Sequence, residues 1–295
     1  MPSTRELRRR IRSVQNTAKV TKAMQLIAAS KMRRAQQMVV NGRAYSEKMR
    51  DVMADLVAHI DFEEDAPSIP LLSNRPVEKT VMLLITPDRG LCGGLVSNMN
   101  RAAGEVIRSS DTPVSTVAIG RKGETFIIRT GQDLRATFSV SDRPSLEDTV
   151  SITRMLMDEY EEQNADRVLL AYPEFINAAV QRPVIRTLLP VEPAEADPED
   201  SSPAEEQADA EFIYEPDPAG VLGNIVPRYV ETQVYHAILE AIASEHSARM
   251  VAMRNATDNA NDLTEDLTLA LNKARQETIT AELLDIVGGV AAVGG

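Results

Sequence analysis

Apolar residues recur at helical spacing at both ends of the chain. Their steps of three and four place the side chains on one helix face, and the C-terminal steps match coiled-coil spacing. The N-terminal series comprises Leu7, Ile11, Val14 and Ala18, continued by Val20, Met24, Ile27 and Lys31. The C-terminal series comprises Ile238, Ile242, Met253, Ala256, Ala260, Leu263, Leu267, Leu271, Ala274, Thr278 and Ala281.

Glycine and proline, which interrupt helices, are nearly missing from the same two regions. Ser3 to Ala66 contains no proline and one glycine, Gly42, and residues 228–287 contain neither. A helix of about 60 residues spans roughly 90 Å, whereas an ordinary domain is about 30 Å across. A domain of that size cannot cover either helix along its length. We therefore predict that the two helices form an antiparallel coiled coil, stabilised further by other chains.

The middle of the chain alternates apolar runs with helical stretches, which is typical of a mostly parallel sheet with crossover helices. The predicted strands are Thr80–Thr86, Val114–Ile119, Leu134–Val140, Arg167–Tyr172 and Val184–Leu189. The predicted helices run from about Leu95 to Ser109, Gly120 to Arg129 and Ser145 to Gln163. The predicted fold class is α/β with long α-helical extensions: the terminal helices form the coiled coil, with a Rossmann-like α/β domain between them.

Composition suggests four segments. The N-terminal helix is predicted at 1–60, a linker at 61–76, the α/β domain at 77–218 and the C-terminal helix at 219–295. Residues 192–217 hold eleven acids and neither Lys nor Arg. That composition predicts a disordered acidic surface loop, assigned to 192–210.

Charge is distributed unevenly along the 295 residues. The net charge is −12, which argues against general nucleic-acid binding. Residues 1–50, however, carry 13 Lys and Arg against two acids. This asymmetry favours an acidic partner for the N-terminal helix, and a solvated helix face is the alternative. There is no apolar run long enough to span a membrane, and the N-terminus has the charge of a signal peptide without an apolar region behind it.

Candidate chemistry is sparse. The glycine-rich turn Asp88–Gly94 could cradle phosphate, but it lacks the known phosphate-binding patterns, so a tight turn is the favoured interpretation. The same holds for Gly120–Gly123. Cys92, the only cysteine, is expected to be a small buried residue rather than a nucleophile. Three histidines and one cysteine do not support a metal site. We predict no catalytic residue, no cofactor and no metal.

The final segment, Ile279–Val293, is apolar on several helix faces. A free end exposing Leu283, Leu284 and Ile286 would aggregate in water. We expect it to lie inside something apolar, with fraying or packing on the chain's own N-terminal helix as the alternative.

Several long blocks resemble the gamma subunit family of F-type ATP synthases. They are Leu7–Arg34, Ser244–Ala260 and Asn272–Thr280, with Asp88–Gly94 and Ile213–Pro218 in the middle domain. The resemblance covers nearly the whole chain. It implies a non-catalytic rotary shaft of the proton-translocating enzyme, turning inside a hexamer of alpha and beta subunits, with its foot beside the epsilon subunit and the c-ring. It also implies a peripheral position on the cytoplasmic side of the bacterial cell membrane, touching the membrane only through the ring.

The resemblance also implies specific contacts. Met24 and Arg249 fall in the family's region of helix contact and beta coupling. Arg275, Gln276 and Thr280 match the stretch that meets the beta subunit's catch loops, and Tyr214 and Glu215 lie near the c-ring contact. Plain packing for Met24 and a solvated charge for Arg275 are the alternatives.

The chain also departs from the family. Ala281 stands where members often have Gln, so one polar contact near the helix end is in doubt, and the chloroplast form's regulatory cysteine pair is missing. Two other interpretations stay open on sequence grounds. One is an unrelated coiled-coil adaptor or scaffold, and the other is a nucleotide-binding enzyme that uses the turn at Gly90–Gly94.

Overall fold

The computed structural model describes residues 3–58, 69–191 and 218–293. The acidic loop 192–210, Tyr214 and Glu215 lie outside these ranges. In chain order the elements are α1 (Thr4–Ala58), a short 3-10 helix (Pro70–Leu72), β1 (Thr80–Ile85), α2 (Leu95–Ser109), β2 (Val114–Ile119), α3 (Arg121–Arg129), β3 (Leu134–Phe138), α4 (Glu147–Glu161), β4 (Arg167–Phe175), β5 (Gln181–Leu189) and α5 (Pro218–Val293).

Both predicted terminal helices are present, and α5 begins at Pro218, ten residues before the stretch free of glycine and proline at 228–287. It includes Pro227, which lacks the N–H of a normal helical hydrogen bond. The same part of α5 buries Leu222, Val226 and Val230 completely. Burial of this apolar face offsets the lost hydrogen bond, so the helix continues through the proline.

The five strands form one sheet in the order β3-β2-β1-β4-β5. The first four are parallel, and β5 runs antiparallel to β4. The mostly parallel α/β sheet is therefore confirmed. β1 lies in the middle with all six residues buried, as expected for a strand covered on both faces.

Alternate residues of β1 face two different hydrophobic clusters. Val81, Leu83 and Ile85 belong to a cluster that includes α4 and the first third of α5, whereas Met82 and Leu84 belong to the cluster on α2 and α3. Helices thus cover both sides of the sheet, which is the layered arrangement that the strand and helix order predicts.

The chain divides into two compact units. One, the helical unit, combines Met1–Ala29 with Arg249–Gly295, and the other, the α/β unit, is Ser30–Ala248. Residues of both long helices therefore occur in each unit. The predicted domain bounds, including the linker at 61–76, stay predictions.

In the helical unit, α1 and α5 pack in an antiparallel pair. The hydroxyl oxygens of Thr21 and Thr257 lie 2.7 Å apart. Leu7, before Thr21, is 3% exposed, and Leu271 and Ala274, after Thr257, are half-buried. Beyond Ala274 the described side chains of α5 are exposed. The burial of α5 side chains therefore ends beside the first residues of α1. This requires the two helices to run in opposite directions.

The seam of this pair differs from the predicted one. On α1 it continues through Thr21 and Ala28, both at heptad spacing from Leu7, whereas Val20 and Ile27 are 59% and 58% exposed. Lys31, half-buried, forms an ion pair. The prediction that Val20 and Ile27 continue the seam is wrong, because each lies one residue before a heptad position, Thr21 or Ala28, and so faces outward.

The same correction applies to α5, where strong apolar character again misplaced the seam. Buried Thr257 and half-buried Thr264 occupy it in place of Leu263, which is 47% exposed. Of the other predicted positions, Thr278 and Ala281 are exposed. The predicted seam is thus wrong at Leu263 and at these last two residues, and Met253 and Ala260 are buried as predicted.

Within the α/β unit, Gly42 of α1 lies against His236 of α5. A β-carbon placed on Gly42 would be 3.0 Å from His236 Nε2, closer than real β-carbons ordinarily approach a neighbour. The single glycine of α1 thus makes room for an imidazole. This explains why a residue that weakens helices is present there.

An ion pair fastens the segment before β1 to the end of α4. Arg75 Nε donates to Asp166 Oδ1 at 2.7 Å, and its guanidinium lies 4.3 Å from the Tyr160 ring centroid. Asp166 Oδ2 accepts from the backbone N–H groups of Glu78 and Lys79, each at 2.9 Å. The carboxylate of Asp166 therefore fixes the entry of the chain into β1.

Candidate functional site

The C-terminal end of α5 presents an exposed apolar surface. Between Arg275 and Val287 every described side chain is exposed. The apolar tip, as we define it, comprises five large side chains that are 50–66% exposed: Ile279, Leu283, Leu284, Ile286 and Val287. Clustered apolar exposure of this kind marks an interaction surface. The alternative, packing of this segment on the N-terminal helix, is wrong for these five residues.

The two threonine hydroxyls near the apolar tip are bonded within α5 itself. The hydroxyls of Thr278 and Thr280 donate to the carbonyls of Ala274 and Gln276 on the same helix, each at 2.9 Å. Such bonds leave the outward face with little directional character. The hydroxyls of Thr278 and Thr280 therefore do not offer their donors to a partner.

The structure places the five described contact residues on the two long helices. Arg275, Gln276 and Thr280 are neighbours on α5 and all exposed, whereas Met24 on α1 and Arg249 on α5 are half-buried. Their contacts with other subunits stay predictions. Tyr214 and Glu215, the predicted ring contacts, lie outside the described residues.

The start of α1 is capped by Ser3 and carries exposed positive charge. Ser3 Oγ accepts from the N–H of Glu6 at 3.3 Å, and Glu6 Oε2 accepts from the N–H of Ser3 at 3.1 Å. This reciprocal pair is a capping box. The basic side chains that follow are all exposed: Arg5, Arg8, Arg9, Arg10, Arg12, Lys19 and Lys22. They form a positive surface suited to an acidic partner.

Sequence reasoning missed a second apolar surface. Val20, Leu26 and Ile27 of α1 are 58–61% exposed. They lie outside the heptad seam that contains Thr21 and Ala28. Strongly hydrophobic residues at positions outside the heptad spacing were an available signal in the sequence. They indicate an apolar face that points away from the seam.

The glycine-rich turn at Gly120–Gly123 is tightly packed, whereas β-carbons at Gly90 and Gly93 in the other turn would meet nothing within 4 Å. Gly120 has φ +88, and a β-carbon there would be 1.9 Å from the Thr86 carbonyl oxygen. The first N–H groups of α3 are used internally, because Arg121 donates to Asp88, Lys122 to Pro87 and Gly123 to Thr86. A phosphate at the start of α3 would lose these amide donors. Cys92 is buried, at 2% exposure.

No helix in the described ranges contains a stretch both long and apolar enough to cross a lipid bilayer.

Comparison with known proteins gives one consistent family. A family model described as ATP synthase matches residues 3–293. The ATP synthase gamma chain of Dehalococcoides mccartyi is 53% identical over 294 residues, covering 99% of this chain and 100% of that one. The ATP synthase gamma chain of Chloroflexus aurantiacus is 48% identical and covers 99% of each chain.

Solved structures agree in fold. A chain of the mitochondrial ATP synthase of Euglena gracilis (OSCP/F1/c-ring, rotational state 3) superposes with a TM-score of 0.68 at 21% identity, covering 98% of this chain and 94% of that one. A rotor chain of the same enzyme gives 0.66 at 22% identity, covering 94% and 98%. With the matches in sequence, the resemblance is confirmed: this chain belongs to the gamma chain family of the F-type ATP synthases.

Proposed function

We propose that this chain is the central shaft of an F-type ATP synthase. It turns with the membrane ring and couples ion-driven rotation to ATP synthesis, or to hydrolysis in the reverse direction, at the beta subunits. Family membership over the whole chain supports this function. A coiled-coil adaptor is not favoured, because the match extends through the α/β unit as well as the helices.

The observation that carries the proposal is the apolar tip of α5. A water-soluble chain does not leave five large apolar side chains exposed on one helix end without a partner. A bearing inside the hexamer of alpha and beta subunits would cover them. Apolar contact is non-directional, so such a bearing holds the tip without bonds that must break as it turns.

The chain itself performs no catalysis in this proposal. Its contribution is a difference in interaction energy with alternative conformations of the three beta sites. Met24 and Arg249 would contribute at the level of the helix pair, and Arg275, Gln276 and Thr280 at the beta catch loops. The exposed arginines at the start of α1 would face acidic loops, through contacts that break and form again with rotation.

The remaining proposed partners are the epsilon subunit and the c-ring, at the end of the shaft nearest the membrane. We assign contacts with the epsilon subunit and the c-ring to the α/β unit and the segment containing Tyr214 and Glu215. The shaft would then be a peripheral protein on the cytoplasmic side of the bacterial cell membrane, reaching the membrane only through the ring. It needs no cofactor or metal of its own.

Co-expression with the alpha and beta subunits of the same bacterium tests the function. We expect a stable complex that hydrolyses ATP and in which a probe attached to this chain rotates. Truncation after Ala274, which removes the apolar tip, should weaken the complex, whereas Thr268→Val on the exposed face of the same helix should not. A chain that stays outside the complex, or a probe that does not turn, would contradict the proposal.

A further inference from the structure

Buried polar side chains occupy α5 just before the α/β unit ends at Ala248. Ser244 and Ser247 have no exposed surface, and His246 is 3% exposed. The preceding turns of α5 bury apolar residues such as Val234 and Ile238 instead. Buried polar groups are unfavourable unless they form specific bonds. The change from apolar to polar packing therefore points to a requirement for directional contacts at this level of the helix.

Both serines bond to the β-hairpin formed by β4 and β5. Ser244 Oγ donates to the carbonyl oxygen of Pro173 at 2.9 Å, and Ser247 Oγ donates to that of Ala178 at 2.7 Å. The acceptors are backbone atoms on β4 and in the turn that follows it. These bonds therefore hold α5 to the framework of the sheet rather than to a mobile side chain.

The loop after β3 brings a carboxylate to both long helices. Asp142 Oδ2 forms an ion pair with Lys31 Nζ of α1, and Asp142 Oδ1 lies 3.7 Å from His246 Nε2 of α5. Lys31 lies in the first turn of α1 within the α/β unit, and His246 in the last turn of α5 there. Asp142 thus pairs with α1 and lies beside α5 at the same level. We call Lys31, Asp142, Ser244, His246 and Ser247 the polar cluster.

We propose that the polar cluster transmits torque between the α/β sheet and the two long helices. This inference rests on the proposed shaft function and names the residues through which the torque passes. Apolar packing is non-directional and allows a helix to turn about its own axis. Hydrogen bonds weaken steeply when they bend. The serines and Asp142 therefore resist twisting of α5 and α1 relative to the sheet, and they act as positioning residues without touching a reacting group.

Torsional stiffness of the assembled complex tests this inference. A bead is attached through Ser109→Cys, an exposed position at the end of α2, in a complex held by its hexamer and stalled without ATP. The variance of the bead angle reports how stiffly the sheet is joined to the helices. We compare the double variant Ser244→Ala with Ser247→Ala, the single variant Asp142→Ala, and the control Thr232→Val.

The control is matched to the serines. Thr232 is also a buried hydroxyl on α5, 4% exposed, but it donates to the Arg228 carbonyl of its own helix at 2.8 Å. We expect the double serine variant to raise the angular variance about twofold, because it removes both hydroxyl bonds to the hairpin. Asp142→Ala should raise it by a smaller amount. Thr232→Val should leave it unchanged, and the rate of ATP hydrolysis should be the same in all variants.

The possible results separate the two proposals. Equal variance in the serine variant, Asp142→Ala and Thr232→Val would overturn the role of the polar cluster and leave the shaft function intact. A bead that never rotates when ATP is added to the complex without the cluster substitutions would overturn the shaft function. If the double serine variant does not assemble, Asp142→Ala decides, since its side chain is 52% exposed and its loss leaves no cavity.

Discussion

The hydroxyl oxygens of Thr21 and Thr257 lie 2.7 Å apart in the seam between α1 and α5. Each residue is less than 10% exposed, and each hydroxyl also contacts a carbonyl of its own helix, at Ala18 and Met253. The two helices are thus joined by a polar contact at a position where a coiled coil ordinarily has apolar side chains.

We predict that Thr21→Val lowers the free energy of unfolding by about 1 kcal/mol, because it removes the partner of a buried hydroxyl. Chemical unfolding of the purified chain, followed by circular dichroism, measures the change. Thr268→Val is the control, since that exposed hydroxyl donates only to Thr264 of the same helix. If the double variant Thr21→Val with Thr257→Val is as stable as the original chain, the pair sets the alignment of α1 against α5 more than it adds stability. Equal losses in Thr21→Val and Thr268→Val would contradict the importance of the contact.

Gly120 and Gly131 both have positive φ, of +88° and +68°, but different surroundings. A β-carbon at Gly120 would meet the Thr86 carbonyl oxygen at 1.9 Å, whereas nothing lies within 4 Å of one at Gly131. We predict that Gly131→Ala lowers the free energy of unfolding by about 1–2 kcal/mol, the cost of the left-handed conformation. Gly120→Ala should lower it by clearly more, because β1 and β2 must also separate. Thermal unfolding of the two variants gives the comparison, and similar melting temperatures would contradict this account.

Acid should weaken the contact between Arg75 and Asp166. Burial alone raises the pKa of Asp166, but the N–H groups of Glu78 and Lys79 and the Arg75 guanidinium together lower it below its ordinary value. Stability from a carboxyl with a lowered pKa is fully present above the unfolded value, and is lost as the pH falls through the folded value. The loss therefore occurs below about pH 4.

Acid titration of the free energy of unfolding, from about pH 5 to about pH 2, tests this point. Asp166→Asn should be less stable near neutral pH and should lose less stability on acidification. Asp133→Asn is the matched control, because Asp133 is 65% exposed and 3.9 Å from Arg135. Parallel titration curves for the original chain and Asp166→Asn would show that this carboxylate has no such role.

Arg275 and Gln276 are exposed on α5, and neither supports the fold of the chain. We predict that Arg275→Ala with Gln276→Ala leaves the stability of the chain within about 0.5 kcal/mol. In the assembled complex, the same variant should lower torque or the coupling of rotation to ATP synthesis. Arg254→Ala, at an exposed arginine of the same helix, provides the comparison. Unchanged rotation and synthesis would remove both residues from the proposed contact with the beta subunit.

The α/β unit was largely predictable because its signals are local. A continuous apolar run predicted β2, and the helical stretch before it predicted α2, each with the bounds that the structure has. A strand that is buried on both faces has a nearly continuous apolar sequence, so it is easily identified. The reversed direction of β5 follows from the short connection, because only five residues separate β4 from β5. A parallel neighbour would need a crossover of about a dozen residues or more.

The long helices were harder to predict in detail. Periodicity identified them, but strong hydrophobicity at Val20, Ile27 and Leu263 misplaced the seam, which Thr21, Ala28 and Thr257 occupy instead. A chain that binds partners on its outer surface places apolar residues on both sides, so hydrophobicity alone no longer identifies the inner face. The candidate contact residues followed only from family resemblance, because exposed arginines and glutamines look alike in a single sequence.

The close approach of Gly42 to His236 disfavours a longitudinal slip of α1 along α5. A slip of seven residues, which would preserve the heptad pattern, would bring Ala35 or Met49 against the imidazole. Either would place a β-carbon about 3 Å from the ring nitrogen, so the imidazole would have to shift. A single glycine thus distinguishes the native alignment of the two helices from one displaced by a heptad, which the small residues of the seam do not.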